Sequence, residues 1–146
     1  MKRIEIIDFN EPGYKPLVAY NNWRVAMLNY IDELETMQID NFQAHLETDE
    51  TFILLSGKCI LFLGDKKDGR IANINAIDME PHKIYNIKKG VYHTHTLKED
   101  SKVLIVENDD TSDDNSPKVM IDQEINHILT ELKEKVWTGK SDKHES

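Results

Sequence analysis

Between residues 4 and 107 the apolar residues return in short runs at alternating or near-alternating positions, and turn-forming residues separate the runs. An extended chain points successive side chains to opposite faces, so this spacing predicts strands that each bury one face. The runs cover residues 4–9, 23–30, 43–46, 51–56, 59–63, 71–77, 83–87, 91–96 and 102–107. Ser56-Gly57, the stretch from Gly64 to Gly69, Glu80-Pro81 and Lys89-Gly90 supply the breaks between them. Many short strands at close spacing predict a sandwich or barrel, because a βαβ fold would interleave helical segments.

The period changes after a polar acidic loop at 109–117, DDTSDDNSP. That loop lacks the glycine and closing glutamate of an EF-hand and reads as a solvated connection. Beyond it Ile121, Ile125, Ile128, Leu129, Leu132 and Val136 recur at helical spacing. Asp122 suits the N-cap, Lys133 and Lys135 suit the C-terminal dipole, and Gly139 offers a stop, so one amphipathic helix is expected over about 122–137. Its apolar stripe would pack on the outside of the strands or on a second subunit. The expected organisation is a single all-β domain over 1–138 with one C-terminal α-helix. The barrel core spans about 20–108, and a disordered tail covers 139–146.

A chain of 146 residues suits one sizeable core. The formal charge of −9 repels nucleic acid unless the basic residues gather on one face, and the doublets Lys66-Lys67 and Lys88-Lys89 do not gather. No nucleic-acid partner is expected. Apolar clusters such as residues 52–55 fall far short of the roughly 18 residues that span a bilayer, so no membrane span is expected. Glu5 and Asp8 interrupt the N-terminal apolar residues, so no secretory signal is expected there and the cytoplasm is the expected location. Cys59, the one cysteine, sits in an apolar run and reads as a buried inert thiol.

Three of the six histidines fall where strand geometry lets them converge. Gln43 and His45 share a strand face, and so do His93 and His95. The LETDE stretch after His45 reverses the chain and brings Glu50 back beside His45. The spacing reads Q-x-H-x4-E-x6-G from Gln43 to Gly57, then G-x2-H from Gly90 to His93. This combination resembles the cupin superfamily, whose motifs run G-x5-H-x-H-x3or4-E-x6-G and G-x5-P-x-G-x2-H-x3-N. The resemblance implies a double-stranded β-helix, or jelly roll, with a metal in its mouth.

Carried over by position, the resemblance assigns His45, Glu50 and His93 as metal ligands. Two imidazoles and a carboxylate suit Fe(II), Mn(II), Zn(II) or Ni(II) and leave positions open. The departures are Met37 for the first glycine, Gln43 for the first histidine, His82 for the second motif's glycine, Lys88 for its proline and Leu97 for its asparagine. Gln43 then becomes a weaker neutral donor or a ligand-binding group, and His95 an extra donor or an acid/base beside Glu50. Alternation from Glu50 places Phe52 and Leu54 toward the pocket, and Tyr85 joins them if the turn at Lys89-Gly90 preserves parity.

The expected function is a metal-binding cupin acting on a small polar metabolite as isomerase, lyase or dioxygenase, with His95 and Glu50 as catalytic groups. The alternatives are a non-catalytic ligand-binding or sensing cupin with a vestigial site, and a metal-free epimerase-type cupin using a histidine and a tyrosine. A homodimer through sheet edges is expected.

Overall fold

A computed structural model of the chain describes residues 3–145, with the backbone alone from 139 to 145. The strands are β1 (Gly13–Tyr20), β2 (Trp23–Asn29), β3 (Asn41–Gln43), β4 (Glu50–Ser56), β5 (Cys59–Lys67), β6 (Arg70–Asp78), β7 (Ile84–Ile87), β8 (Tyr92–Leu97), β9 (Lys102–Asn108) and β10 (Lys118–Met120). They form two five-stranded antiparallel sheets ordered β1-β2-β9-β4-β7 and β10-β3-β8-β5-β6. The sequence alternation is realised directly in β4, where Glu50, Phe52 and Leu54 are buried, and in β9, where Val103, Ile105 and Glu107 are. Phe52, Leu54, Val103 and Ile105 pack with Ala26 and Leu28 of β2 and with Leu61 and Leu97 of the other sheet, in a core enclosed between the two layers.

Strand β5 departs from alternation because Cys59, Ile60, Leu61 and Phe62 are all buried. The helix α1 (Gln123–Glu145) explains why: Ile125 and Leu129 pack with Ile60, Phe62, Ile71 and Phe42 on the outer face of that sheet. Asp122 caps the helix, its Oδ1 accepting the Ile125 N–H at 3.1 Å. The stripe thus lands outside the barrel, one of the two expected places. The backbone stays helical past Gly139, where a stop was expected, since one glycine in a helix costs only about 1 kcal/mol. The tail expected over 139–146 falls on residues whose side chains, and for Ser146 the backbone too, lie outside the described set.

Other expectations are corrected. Residues 4–9 form no strand; Ile4 and Ile6 are exposed, and no neighbouring strand pairs with them. The strand at the sheet edge is β1, which pairs with β2 around an irregularity between Pro16 and Val18. The expected strand at 43–46 is Asn41–Gln43, and β10 adds a short partner beside it.

Gly57 turns β4 into β5 at φ +82°, and a Cβ there would collide with Ser101 Oγ and lie 2.6 Å from Ser101 Cα. Only glycine meets both demands. Cys59 is buried, as expected, and burial pushes its thiol far above the ordinary range.

Candidate metal centre

His45 lies beyond the end of β3, on backbone kept beside the 115–117 segment by the Ala44 N–H to Pro117 O and Leu46 N–H to Asn115 O bonds. Its own carbonyl accepts the Gly90 N–H at 2.7 Å, which ties the first motif to the second. Glu50 opens β4, and His93 sits in β8 directly opposite Gln43. These placements bring the donor atoms of His45, Glu50 and His93 within 4.8 Å of one another, and all three residues are buried. Glu50 Oε1 is 3.0 Å from His45 Nε2 and 2.8 Å from His93 Nε2.

The hydrogen bonds behind the imidazoles determine what they present at the front. His93 Nδ1 lies 3.0 Å from Val91 O, a carbonyl that only accepts, so Nδ1 carries a hydrogen. His45 Nδ1 lies 2.8 Å from Ser116 Oγ. Asn115 Oδ1 accepts the Ser112 N–H while its Nδ2 donates to Asp110 O, which fixes that amide. Ser116 Oγ therefore donates to Asn115 Oδ1 and accepts from His45 Nδ1. Neutral rings held this way aim two Nε2 lone pairs at one carboxylate oxygen. Three lone-pair donors so close repel unless a cation, a proton or a metal ion, lies among them.

The donor set fits a divalent ion. Two ligands at right angles on an ion with bonds of about 2.1 Å stand about 3.0 Å apart. The 2.8 and 3.0 Å separations match that spacing. The backing of each ring nitrogen is the arrangement that orients metal-ligating histidines.

Protonation preferences follow the same logic. Burial opposes charge on His45, but the hydrogen bond and charge of Glu50, with Glu107 behind, outweigh it and raise the imidazole above its ordinary value. Burial likewise works against the Glu50 anion; His45 and His93 reverse this and hold the carboxyl well below its ordinary range. His95 goes the other way, lowered to about 4, chiefly because burial disfavours its charged form. Its Nδ1 is buried without a hydrogen bond.

The donors open into a cavity of about 480 Å³, a size suited to a small organic ligand. Gln43, His45, Glu50, His93, Thr94 and His95 line it. Phe52 supports the centre from beneath, its ring centroid 6.1 Å from that of His93 and 5.8 Å from that of His95. Phe52, Leu54 and Tyr85, the expected pocket walls, are not on the cavity surface. Phe52 and Leu54 are fully buried in the core, and the Tyr85 hydroxyl accepts the Glu80 N–H. Gln43 donates its amide to Ser116 O at 3.0 Å, which commits it to holding the Ser116 segment.

Sequence reasoning missed two groups. Arg24 and Glu107, opposite one another on β2 and β9, reach the cavity with Tyr14. Inward alternation from Val103 and Ile105 was the available signal for Glu107. Ser116, in the loop read as a bland connection, is the other; its role depends on tertiary placement and leaves no sequence signal.

No protein-family model matches the chain, and no curated protein does. Among solved structures, the nucleoside dehydratase Pac13 shares 10% identity over 80% of this chain and 87% of its own, with a TM-score of 0.54. That protein comes from Streptomyces. The QdtA 3,4-ketoisomerase of Thermoanaerobacterium thermosaccharolyticum shares 18% identity over 64% of this chain and 63% of its own, with a TM-score of 0.51. A cupin-2 domain protein of Shewanella frigidimarina shares 22% identity over 68% and 84%, at a TM-score of 0.47. At such identities the likeness is one of fold alone, an antiparallel β-barrel of two packed sheets with one C-terminal helix. Among the described residues no helix is long and apolar enough to cross a membrane.

Proposed function

We propose that this cavity is the active site of a cupin that holds a divalent metal ion through His45 Nε2, Glu50 Oε1 and His93 Nε2 and transforms a small polar metabolite. The observation that carries the reading is the convergence of two oriented imidazole nitrogens on one buried carboxylate oxygen at 2.8 and 3.0 Å. Fe(II), Mn(II), Zn(II) or Ni(II) bound there would supply a Lewis acid that polarises a carbonyl or carboxylate oxygen of the substrate.

His95 is the proton carrier of the proposal. Burial keeps its ring neutral at pH 7, and its sealed Nδ1 leaves Nε2 as the nitrogen that a ligand in the cavity reaches. Thr94 and Gln43 add polar groups to the cavity lining, and Leu28 and Ile105 add apolar ones. Proton transfer next to a polarised oxygen serves isomerisation and elimination alike, and two neighbours of the fold are a ketoisomerase and a dehydratase. A homodimer belongs to the same proposal: β1 is an edge strand, and Tyr20 and Trp23 beside it are exposed. Light scattering of the purified chain tests it.

The functional test is reconstitution with each of the four metals, followed by a turnover screen over nucleosides, nucleotide sugars and small hydroxy acids. Conversion that disappears in His95→Gln while metal stays bound supports the reading. A compound that raises the melting temperature through the cavity, loses that effect in His93→Ala and is never converted favours a binding module instead.

A further inference from the structure

Glu107 is the last inward residue of β9, and its side chain is 3% exposed. Its two oxygens are treated differently. Oε2 accepts the Tyr14 hydroxyl at 3.0 Å and the Arg24 guanidinium at 3.2 Å. Oε1 is buried with no hydrogen bond, and it lies 3.9 Å from His45 Nε2, on the wall of the same cavity. Leaving a buried polar atom unsatisfied costs about 1–3 kcal/mol, and more on a charged group. Tyr14 and Arg24 fix the carboxylate by one oxygen and leave the other beside His45 Nε2. Two ligands of one ion with bonds of about 2.1 Å stand between about 3.0 Å apart at right angles and about 4.2 Å apart when opposed, and 3.9 Å falls inside that range.

The histidine that the cupin resemblance implies as a fourth donor is replaced in this chain by a weaker neutral amide. Gln43 stands at that position, and its amide nitrogen is engaged by Ser116 O. We propose that Glu107 Oε1 is a fourth protein donor to the ion held by His45, Glu50 and His93, reaching it from a strand outside both motifs. This rests on the metal reading above and extends it to a set of two imidazoles and two carboxylates. Carboxylates suit Mn(II), whereas imidazoles carry more of the binding of Ni(II), so Glu107 contributes more to Mn(II) affinity than to Ni(II) affinity.

The test titrates Mn(II) and Ni(II) separately into the wild type, Glu107→Gln and His93→Ala. Glu107→Gln is expected to weaken Mn(II) by about tenfold or more, Ni(II) by less, and His93→Ala to weaken both severely. Equal affinities for wild type and Glu107→Gln overturn the fourth donor while leaving the three-donor site standing. A wild type that binds neither ion overturns the metal reading itself. Should Glu107→Gln fail to fold, an anomalous-difference map of Mn(II)-loaded wild-type crystals decides. A peak within bonding distance of Glu107 Oε1 supports the proposal; a peak that reaches Glu107 only through a water overturns it.

Discussion

Ser116→Ala separates the orienting role of the 109–117 loop from the donors themselves. Ser116 Oγ is the acceptor that holds the hydrogen on His45 Nδ1, and Asn115 Oδ1 fixes the direction of that hydroxyl. Alanine removes both bonds, and His45 is only 8% exposed, so bulk water does not replace the lost acceptor. The ring is then free to put its hydrogen on Nε2, where it blocks the lone pair facing Glu50. Loss of an orienting partner of this kind typically lowers metal affinity by about 10–100-fold, or about 1.4–2.7 kcal/mol. Stability should fall by about 1–2 kcal/mol for the lost hydrogen bonds, a drop in Tm of roughly 2–8 °C for a chain of this size. Calorimetric titration of wild type and Ser116→Ala with Zn(II) at pH 7 reads the affinity, and a thermal melt reads the stability. An affinity within twofold of wild type, alongside the expected fall in Tm, would refute the claim that this hydroxyl sets the His45 tautomer.

In the metal-free chain the stability difference between wild type and Glu50→Gln should depend on pH. The His45 contribution, from a raised pKa, is complete below the ordinary 6.5 and disappears as pH rises through the raised value. The Glu50 contribution, from a lowered pKa, is complete above the ordinary 4.5 and disappears as pH falls through the lowered value. The difference should therefore be largest between about pH 4.5 and 6.5; melts showing a constant gap up to pH 8.5 would contradict the pairing. Gly57→Ala should lose more than twice the stability lost by Gly90→Ala in denaturant unfolding. Both pay about 1–2 kcal/mol for positive φ, but only at Gly57 does the new Cβ meet Ser101. Equal losses would mean that the Ser101 contact yields freely. Leu129→Ala should cost about 2–5 kcal/mol and leave Zn(II) affinity within twofold, because its cluster lies on the outer face of the sheet. A parallel loss of affinity would show that the helix supports the centre.

The parts legible in the sequence were those where one local rule decides. Alternation places Glu50 with Phe52 and Leu54, and motif spacing selects His45 and His93; the structure brings these donors together. Alternation alone failed where pairing was missing or pattern was weak. Residues 4–9 alternate but find no partner strand, while β1 carries Pro16 and a mostly exposed surface and still pairs with β2. Phe52 shows a subtler limit: parity gives the face, and depth along the strand decides whether that face meets the cavity or the core. Ser116 and Arg24 depend on contacts between distant segments, which no spacing encodes.

We propose that His45, Glu50 and His93 share one cation. Metal content by mass spectrometry, after saturation with Zn(II) and removal of free ion, tests it most directly. One equivalent per chain is expected in the wild type and almost none in His93→Ala. A wild type as empty as the variant would contradict it.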